Sequence, residues 1–528
     1  MSSEIKILTL TLDGNSFLGG LAPDLVGLAS SQEAKANQYV RVATGIDFYK
    51  LGFKGHITPA QIFSTGSVSN AGITSTPRAV AVDVASATPN IHYILGGLSG
   101  TAPKTVLSTS GGYVSSASIS AHGGHNFTTM PSNKYWGEDI VFYTANNSSS
   151  VATQYIFYSW QDNTDGDVGR MSVDASSPDD DFMTTVPSGF SSSGFLTGVP
   201  HRMVEAANKK LYITNGRYLA EYDGNNGASG TINYQAYDLG QGWVITDIRK
   251  YGRLLAILSV RSGTSYTNYS YLGESKMTLW DTIERGIGVS YAIPDNFASA
   301  IFVTPRNTIL AFTFGKNSSS KVFEFNGQTF DLLWESIVNG SAPEPNAIEY
   351  YKGLVYWVPK NAIHVMALDL ETKGVHQPLV NNDGSSNSGE SGFLRNVWDN
   401  ALFVGGSFGS YKAVYLQPGA SGYSSSNCDL RTRVINLPFR STIMETRVYF
   451  SQSVSGYSAQ LSLFKNYVSS SIGTAGTDLL NTTITQVGIN EYRIDDKTIE
   501  NVSAFYMNIR VSGQVSISRI EIDYIPGV

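Results

Sequence analysis

A single cysteine, Cys428, occurs in 528 residues, so no intrachain disulfide can form. Stability cannot rest on covalent staples, and nothing requires an oxidising compartment. Charge is also scarce: 15% of residues are Asp, Glu, Lys or Arg, against roughly 25% in an average soluble domain. The polar surface must come instead from Ser, Thr, Asn, Gly and Tyr. No stretch approaches the roughly 20 apolar residues of a membrane-spanning helix. Met1-Ser2-Ser3-Glu4-Ile5-Lys6 lacks a basic region followed by an apolar run, so no signal peptide is expected and synthesis in the cytoplasm is. A net charge of -7 excludes the basic footprint of a tight nucleic-acid binder. It leaves room for a channel that DNA passes without being held. Seven histidines supply few general bases.

What the chain has in quantity is Tyr (30) and Gly (52). Tyr, Thr and Val suit half-buried pleated surfaces, and Gly and Asn suit tight turns. The best short helix candidate is 24–36, and no convincing amphipathic helix appears anywhere. From 77 to 418 a loose unit recurs: apolar strand, turn, stronger apolar strand, turn, strand ending near an acid. One copy runs Arg202-Met203-Val204-Glu205, Leu211-Tyr212-Ile213, Leu219-Ala220-Glu221-Tyr222-Asp223. Another runs Ala347-Ile348-Glu349-Tyr350, Leu354-Val355-Tyr356-Trp357, then 363–369. A third runs Ala300-Ile301-Phe302-Val303, Ile309-Leu310-Ala311-Phe312, then 321–325. A period of roughly 45–60 residues matches four-stranded blades. One such sheet cannot bury both faces alone, but stacked sheets cover one another.

Ser- and Gly-rich loops at 146–150, 188–194, 381–392 and 419–427 punctuate the repeats. After the last, alternation becomes cleaner: Val448 and Phe450; Leu461 and Leu463; Phe505, Met507, Ile509 and Val511; Ile520, Ile522 and Tyr524. Short alternating strands over 429–528 predict an antiparallel β-sandwich. The expected fold is therefore all-β: a divergent six- or seven-bladed β-propeller over 77–418, an N-terminal arm over 1–76 and the C-terminal sandwich. Leu279-Trp280-Asp281 and Val397-Trp398-Asp399 carry Trp-Asp pairs without an upstream Gly-His, and read as blade-core aromatics.

The chemistry-bearing constellations are sparse. His122-Gly123-Gly124-His125 sets two imidazoles close together, short of the three or four ligands of a metal centre. Asp162-Asn163-Thr164-Asp165-Gly166-Asp167 has the outline of a calcium loop. Placing Gly166 at the invariant glycine, however, puts Gln161 at the first ligand position, and no Glu closes the loop. With Asp179-Asp180-Asp181 it reads as an acidic surface turn. Glu138, Asp139, Glu205 and Glu349 are acids that a hydrolytic propeller uses in pairs, yet no spacing brings them together. There is no Gly-x-Ser-x-Gly elbow, phosphate loop or Ser-x-Asp-x-Gly-x-x-Trp turn. No residue is assigned a catalytic, cofactor-binding or metal-binding role. Asn146, Asn268 and Asn481 match the glycosylation pattern by chance in a chain without a secretion signal. Tyr266, Tyr269 and Tyr271, with Asn268 among them, form a stacking surface of the kind that binds glycans. They keep a glycan-binding or glycan-cleaving propeller as the alternative function.

Phe17-Leu18-Gly19-Gly20-Leu21-Ala22-Pro23, followed by divergent blades and a C-terminal sandwich, resembles the propeller-bearing virion proteins of tailed bacteriophages. The nearest group is the tail-tube nozzle and tail-hub proteins of short-tailed phages, also called packaged-DNA stabilisation proteins. The resemblance covers the whole chain in layout and the arm by motif. It implies a structural protein without enzymatic activity or cofactor, located in the virion tail. Six copies would form a homo-oligomeric ring below the portal or adaptor, near the tail fibres. Blade edges and the N-terminal arm would make the contacts, and the channel would conduct and retain DNA.

Overall fold

The computed structural model describes residues 7–13, 20–21, 39–44, 46–47, 53–55, 60–63, 76–83, 90–96, 105–108, 119–120, 134–162, 166–172, 179, 181–184, 194–196, 198–226, 230–261, 273–314, 320–336, 343, 345–351, 353–357, 364–371, 373–380, 393–398, 401–405, 413–416, 428–432, 435–453, 455–464, 478–494, 498–512 and 515–527. Among these the regular structure is β, apart from three-residue 3-10 turns at Phe182–Thr184, Gly224–Asn226 and Pro345–Ala347. No helix among the described residues is long and apolar enough to cross a membrane. The 24–36 helix candidate lies outside them. The chain is all-β with several four-stranded antiparallel sheets, consistent with a β-propeller. It divides into two compact units: Ala60–Ile363 with Asp383–Gln417, and Met1–Pro59 with His364–Asn382 and Pro418–Val528.

The first unit holds the repeats. Sheet I contains Thr76–Asp83, Asn90–Gly96, Thr105–Ser108 and Ile119–Ser120, joined through the pair Trp136↔Gly96 to Lys134–Asn146, Ala152–Asp162 and Gly166–Ser172. Sheet II is Met203–Glu205, Leu211–Asn215, Tyr218–Tyr222 and Ile232–Asp238. Sheet III is Trp243–Tyr251, Leu254–Arg261, Ser275–Asp281 and Val289–Ile293. Sheet IV is Phe297–Val303, Ile309–Phe314, Ser320–Phe325 and Phe330–Ser336. Sheet V takes Phe393–Trp398, Ala401–Gly405 and Ala413–Leu416 from late in the chain and completes itself with Ala60–Phe63 from early in it.

Packing follows the two-residue alternation of the strands. In sheet II, Leu211 and Ile213 join Phe157, Val168, Tyr222 and other residues in a core shared with sheet I. Tyr212, between them in sequence, points the other way, into a core with Leu255, Ile257 and Trp280 of sheet III. Ala256 and Leu258 of sheet III in turn face Ile301, Ile309 and Phe323 of sheet IV. Middle strands covered on both faces therefore read as continuous apolar runs, and all five residues of Leu211–Asn215 are buried.

Seven strands of this unit, here called lead strands, touch one another in turn; two of them, Thr76–Asp83 and Lys134–Asn146, lie in sheet I, and one, Ile348–Tyr351, runs antiparallel to Leu354–Trp357. Thr76–Asp83 contacts Lys134–Asn146, which contacts Met203–Glu205; Trp243–Tyr251 and Phe297–Val303 follow. Phe297–Val303 contacts the turn Pro345–Ala347, directly before the lead strand Ile348–Tyr351. That strand touches Phe393–Trp398, which returns to Thr76–Asp83. The circle closes. Four lead strands carry a one-residue bulge at the same place, which leaves Arg78, Glu138, Thr246 and Ser299 outside the pairing register. A bulge bends and twists its strand and re-aims the neighbouring side chain.

In the second unit the long strand Ile435–Ser453 pairs with Val515–Ile525, Ile499–Ser512 and Glu491–Ile494. Val448, Phe450, Leu461, Leu463, Phe505, Met507, Ile509, Val511, Ile520 and Ile522 are all buried, and Tyr524 is partly so. On the same strands Arg447 pairs with Glu521 at 3.2 Å and Asp523 at 3.0 Å. The N-terminal segment is built into this unit. Leu8–Asp13 runs antiparallel to Val515–Ile525. Gly20–Leu21 lies in parallel between Val375 and Tyr39–Val40, and Tyr39–Thr44 pairs with Cys428–Thr432.

Candidate functional site

The bulges bring one group of polar side chains together at the lead strands. Asp139 follows the bulge of its strand. Its Oδ1 accepts the N–H of Ile140 at 2.9 Å, and its Oδ2 accepts the N–H of Met203, in the next sheet, at 2.9 Å. Asp247 follows the equivalent bulge in sheet III and repeats the pattern. Its oxygens accept the N–H groups of Ile248 and of Ile301 in sheet IV, each at 2.9 Å. The bulged-out Thr246 adds a hydroxyl bond to the carbonyl of Ala298 at 2.9 Å. The same device thus ties two successive pairs of sheets together.

Three further side chains complete the cluster. Arg249 donates through Nε to the Ile301 carbonyl at 3.2 Å and through Nη2 to the Pro345 carbonyl at 2.5 Å. Its Nε also lies 3.5 Å from Asp247 Oδ2. Asn346 donates through Nδ2 to Asp139 Oδ1 at 3.3 Å. Arg202 is buried, and its charge is felt by both carboxyls. Burial pushes Asp139 and Asp247 above the ordinary carboxylate value. For Asp139 this outweighs the opposing pull of Arg202, the Met203 N–H, Arg249 and the Ile140 N–H; for Asp247 it outweighs Arg249, the Ile301 N–H, Arg202 and the Ile248 N–H. The bonds of the cluster restrain neighbouring sheets against one another. Both carboxylates are occupied by backbone donors, and the guanidinium and carboxamide are the members with partial exposure.

A second feature stands on the outer hairpin of sheet III. The turn between Ser275–Asp281 and Val289–Ile293 is held from several sides. Asp281 Oδ1 accepts the N–H groups of Ile283 at 2.9 Å and Glu284 at 3.2 Å. Trp280 Nε1 donates to the Gly286 carbonyl at 3.0 Å. Arg285 holds a left-handed φ of 54° and pairs with the buried Glu221 of sheet II, which also accepts from Tyr212 at 2.8 Å and Lys210 at 2.7 Å. A Cβ at Gly288 would meet Thr278 and Tyr237 at 2.6 Å, so only glycine fits. This restrained turn presents Ile283 at 59% exposure, Ile287 at 98% and, at the start of the strand, Val289 at 57%.

The residues expected from sequence fall differently. Asp139 belongs to the cluster. Glu205 is ion-paired to the exposed Lys209 at 3.0 Å, and Glu349 accepts the N–H of Tyr350; neither is among its partners. The side chain of Glu138 lies outside the described residues, as do His122, His125, Asn163, Thr164, Asp165, Asp180, Tyr266, Asn268, Tyr269 and Tyr271. Asp167 is buried and accepts the Val168 N–H at 2.6 Å. Among the described residues no group of three His, Cys, Asp or Glu is placed to hold a metal. Trp280 is a core aromatic, 4.8 Å from Tyr237 and 5.7 Å from Tyr212 between ring centres. Asp247, Arg249, Asn346 and the turn at 281–289 were not singled out by sequence. A faint signal existed: a β-branched residue stands two positions after each bulged one, in Ala79-Val80, Asp139-Ile140, Asp247-Ile248 and Ala300-Ile301.

Comparison with known proteins returns no matching family model and no matching curated protein. Solved structures do match. A luciferin-regenerating enzyme is 9% identical, with 55% of this chain and 94% of that one covered and a TM-score of 0.34. The PQQ-bound aldose sugar dehydrogenase from Streptomyces coelicolor is 12% identical, over 68% and 96%, with a TM-score of 0.36. Sqt1 from Chaetomium thermophilum is 12% identical, over 69% and 99%, with a TM-score of 0.38. It has also been solved bound to the N-terminus of ribosomal protein L10. None of these is a phage tail protein, and two are enzymes. The expectation of a tail-nozzle subunit without enzymatic activity, ringed with virion partners around DNA, is corrected accordingly. The structure supplies the physical reason. Of the Gly-Gly-Leu element that carried the resemblance, Gly20–Leu21 is a strand inside the chain's own sheet, flanked on both sides, and the arm is paired with residues 428–432 and 515–525. At these TM-scores the likenesses transfer none of the matched proteins' activities to this chain.

Proposed function

We propose that this protein is a partner-binding β-propeller, docking a second protein on the turn at 281–289. The observation that carries the reading is Ile287, 98% exposed at the crest of a turn fixed by a carboxylate cap, an indole–carbonyl bond and the ion pair of Arg285 with the buried Glu221. A large apolar side chain held out rigidly loses little freedom on binding, which favours its use as an anchor. Burying one isoleucine is worth about 1.5–3 kcal/mol, a change in Kd of roughly 10- to 150-fold. In this reading residues 77–418 form seven blades, with Ala60–Phe63 completing the last, and 429–528 form a sandwich. The closed circle of lead strands supports the blade number.

The test is a quantitative comparison of proteins captured from source lysate by the full chain and by Ile287→Asp. Phe439→Asp, at another exposed large apolar side chain, serves as control. A partner enriched by the wild type and by Phe439→Asp but lost with Ile287→Asp is expected. Identical captured sets for all three, with circular dichroism unchanged, refute the reading.

A further inference from the structure

We infer that the exposed side of the lead-strand cluster binds a small 2-hydroxycarboxylate, recognised by Arg249 and Asn346. This stands independently of partner binding. Arg249 is anchored by two backbone carbonyls, Ile301 through Nε and Pro345 through Nη2. These fix the plane of the guanidinium while its side chain stays 29% exposed. No described residue bonds to its Nη1. A fixed, partly desolvated guanidinium edge is a strong carboxylate donor.

Asn346 supplies the second half. Its Nδ2 donates to Asp139 Oδ1 at 3.3 Å, so its Oδ1, on the other arm of the amide, is turned away from that carboxyl. That oxygen has no protein donor among the described residues. Asn346 directly follows Pro345, whose carbonyl holds Arg249, so the cationic donor and the neutral acceptor are neighbours. A carboxylate with a hydroxyl on the adjacent carbon is the complementary ligand: its oxygens accept from Nη1 and its hydroxyl donates to Asn346 Oδ1. Asp139 and Asp247 each already accept two backbone N–H groups, and Asp139 accepts Asn346 Nδ2 as well. They hold the pair in place. A ligand with a carboxylate alone would leave Asn346 Oδ1 unanswered, and a neutral sugar would leave the guanidinium so.

The experiment is calorimetric titration of the full chain with L- and D-lactate, propionate and glucose. Lactate of one hand is expected to bind about 3- to 10-fold tighter than propionate, the worth of one hydrogen bond, and glucose not at all. Asn346→Ala is expected to bring lactate down to the level of propionate. Arg249→Gln is expected to weaken both acids at least about 10-fold, with circular dichroism confirming the fold. Equal affinity for lactate and propionate in the wild type overturns the inference. So does a lactate preference that survives Asn346→Ala, or no saturable binding of either acid up to about 10 mM.

Discussion

Replacing Asp247 with Asn tests whether the bulge carboxylates are what hold successive sheets together. The aspartate accepts two backbone N–H groups, one of them Ile301 in the neighbouring sheet, both at 2.9 Å, and is 1% exposed. An asparagine keeps one acceptor and turns an amide donor toward the other N–H. A buried N–H left without an acceptor costs about 1–3 kcal/mol. Removing the negative charge also relieves the burial that raises this carboxyl, which places the net loss toward the lower half of that range. The unit that contains sheet III has roughly 340 residues, and at about 2.1 cal/mol/K per residue its unfolding entropy is close to 0.7 kcal/mol/K. The melting temperature is therefore expected to fall by about 1–3 °C. Hydrogen exchange gives the local reading: the amide of Ile301 should lose protection while the opposite strands of sheet II keep theirs. As a control, Lys209→Ala removes an exposed ion pair to Glu205 and should change stability by at most about 0.5 kcal/mol. An unchanged melting temperature together with unchanged exchange at Ile301 refutes the reasoning.

Further outcomes follow from the same structure. Burial holds Asp139 and Asp247 above the ordinary value of 3.8. From that value up to their raised ones the folded state binds more protons than the unfolded chain, so their contribution falls as pH rises through that window. Melting curves taken at rising pH from about 4 should show this slope in the wild type and a flatter one in the Asp139→Asn, Asp247→Asn double variant. Gly230→Ala should cost about 2 kcal/mol or more, because φ is +61° and the new Cβ would lie 1.8 Å from the Phe182 carbonyl oxygen; denaturant titration reads it. Trp280→Ala removes a side chain buried between sheets II and III and should cost about 3–5 kcal/mol, with near-UV circular dichroism lost at the same time.

The strands were legible because their signals are local. In 203–223, alternation and the Asn and Gly turns mark three strands that the structure places at Met203–Glu205, Leu211–Asn215 and Tyr218–Tyr222. The apolar alternation of 448–450 and 505–511 likewise corresponds to buried residues. The cluster was legible only as one isolated acid, Asp139. Its partners are Met203, 64 positions away, and Asn346, 207 away, and the bulge that aims it depends on a partner strand rather than on composition. Asp247 sits in Ile245-Thr246-Asp247-Ile248, where nothing local separates a sheet-bridging carboxylate from a surface one. The arm misled for the opposite reason. Gly-Gly-Leu is short enough to suit many settings, and here Gly20–Leu21 is a strand enclosed on both sides.

Sheet V joins residues 60–63 to residues 413–416, and this has a consequence for how the molecule is made. The early strand leaves the ribosome about 350 residues before its partner exists, a wait of roughly 20–70 s at 5–20 residues per second. Throughout that interval both Ala60–Phe63 and the sheets already formed lack their final neighbour. Closure must then proceed through the contact of longest sequence separation in the unit, the slowest kind to find. Chains released before residue 413 have no partner for that strand. They are the species on which chaperone dependence and aggregation during synthesis should be sought.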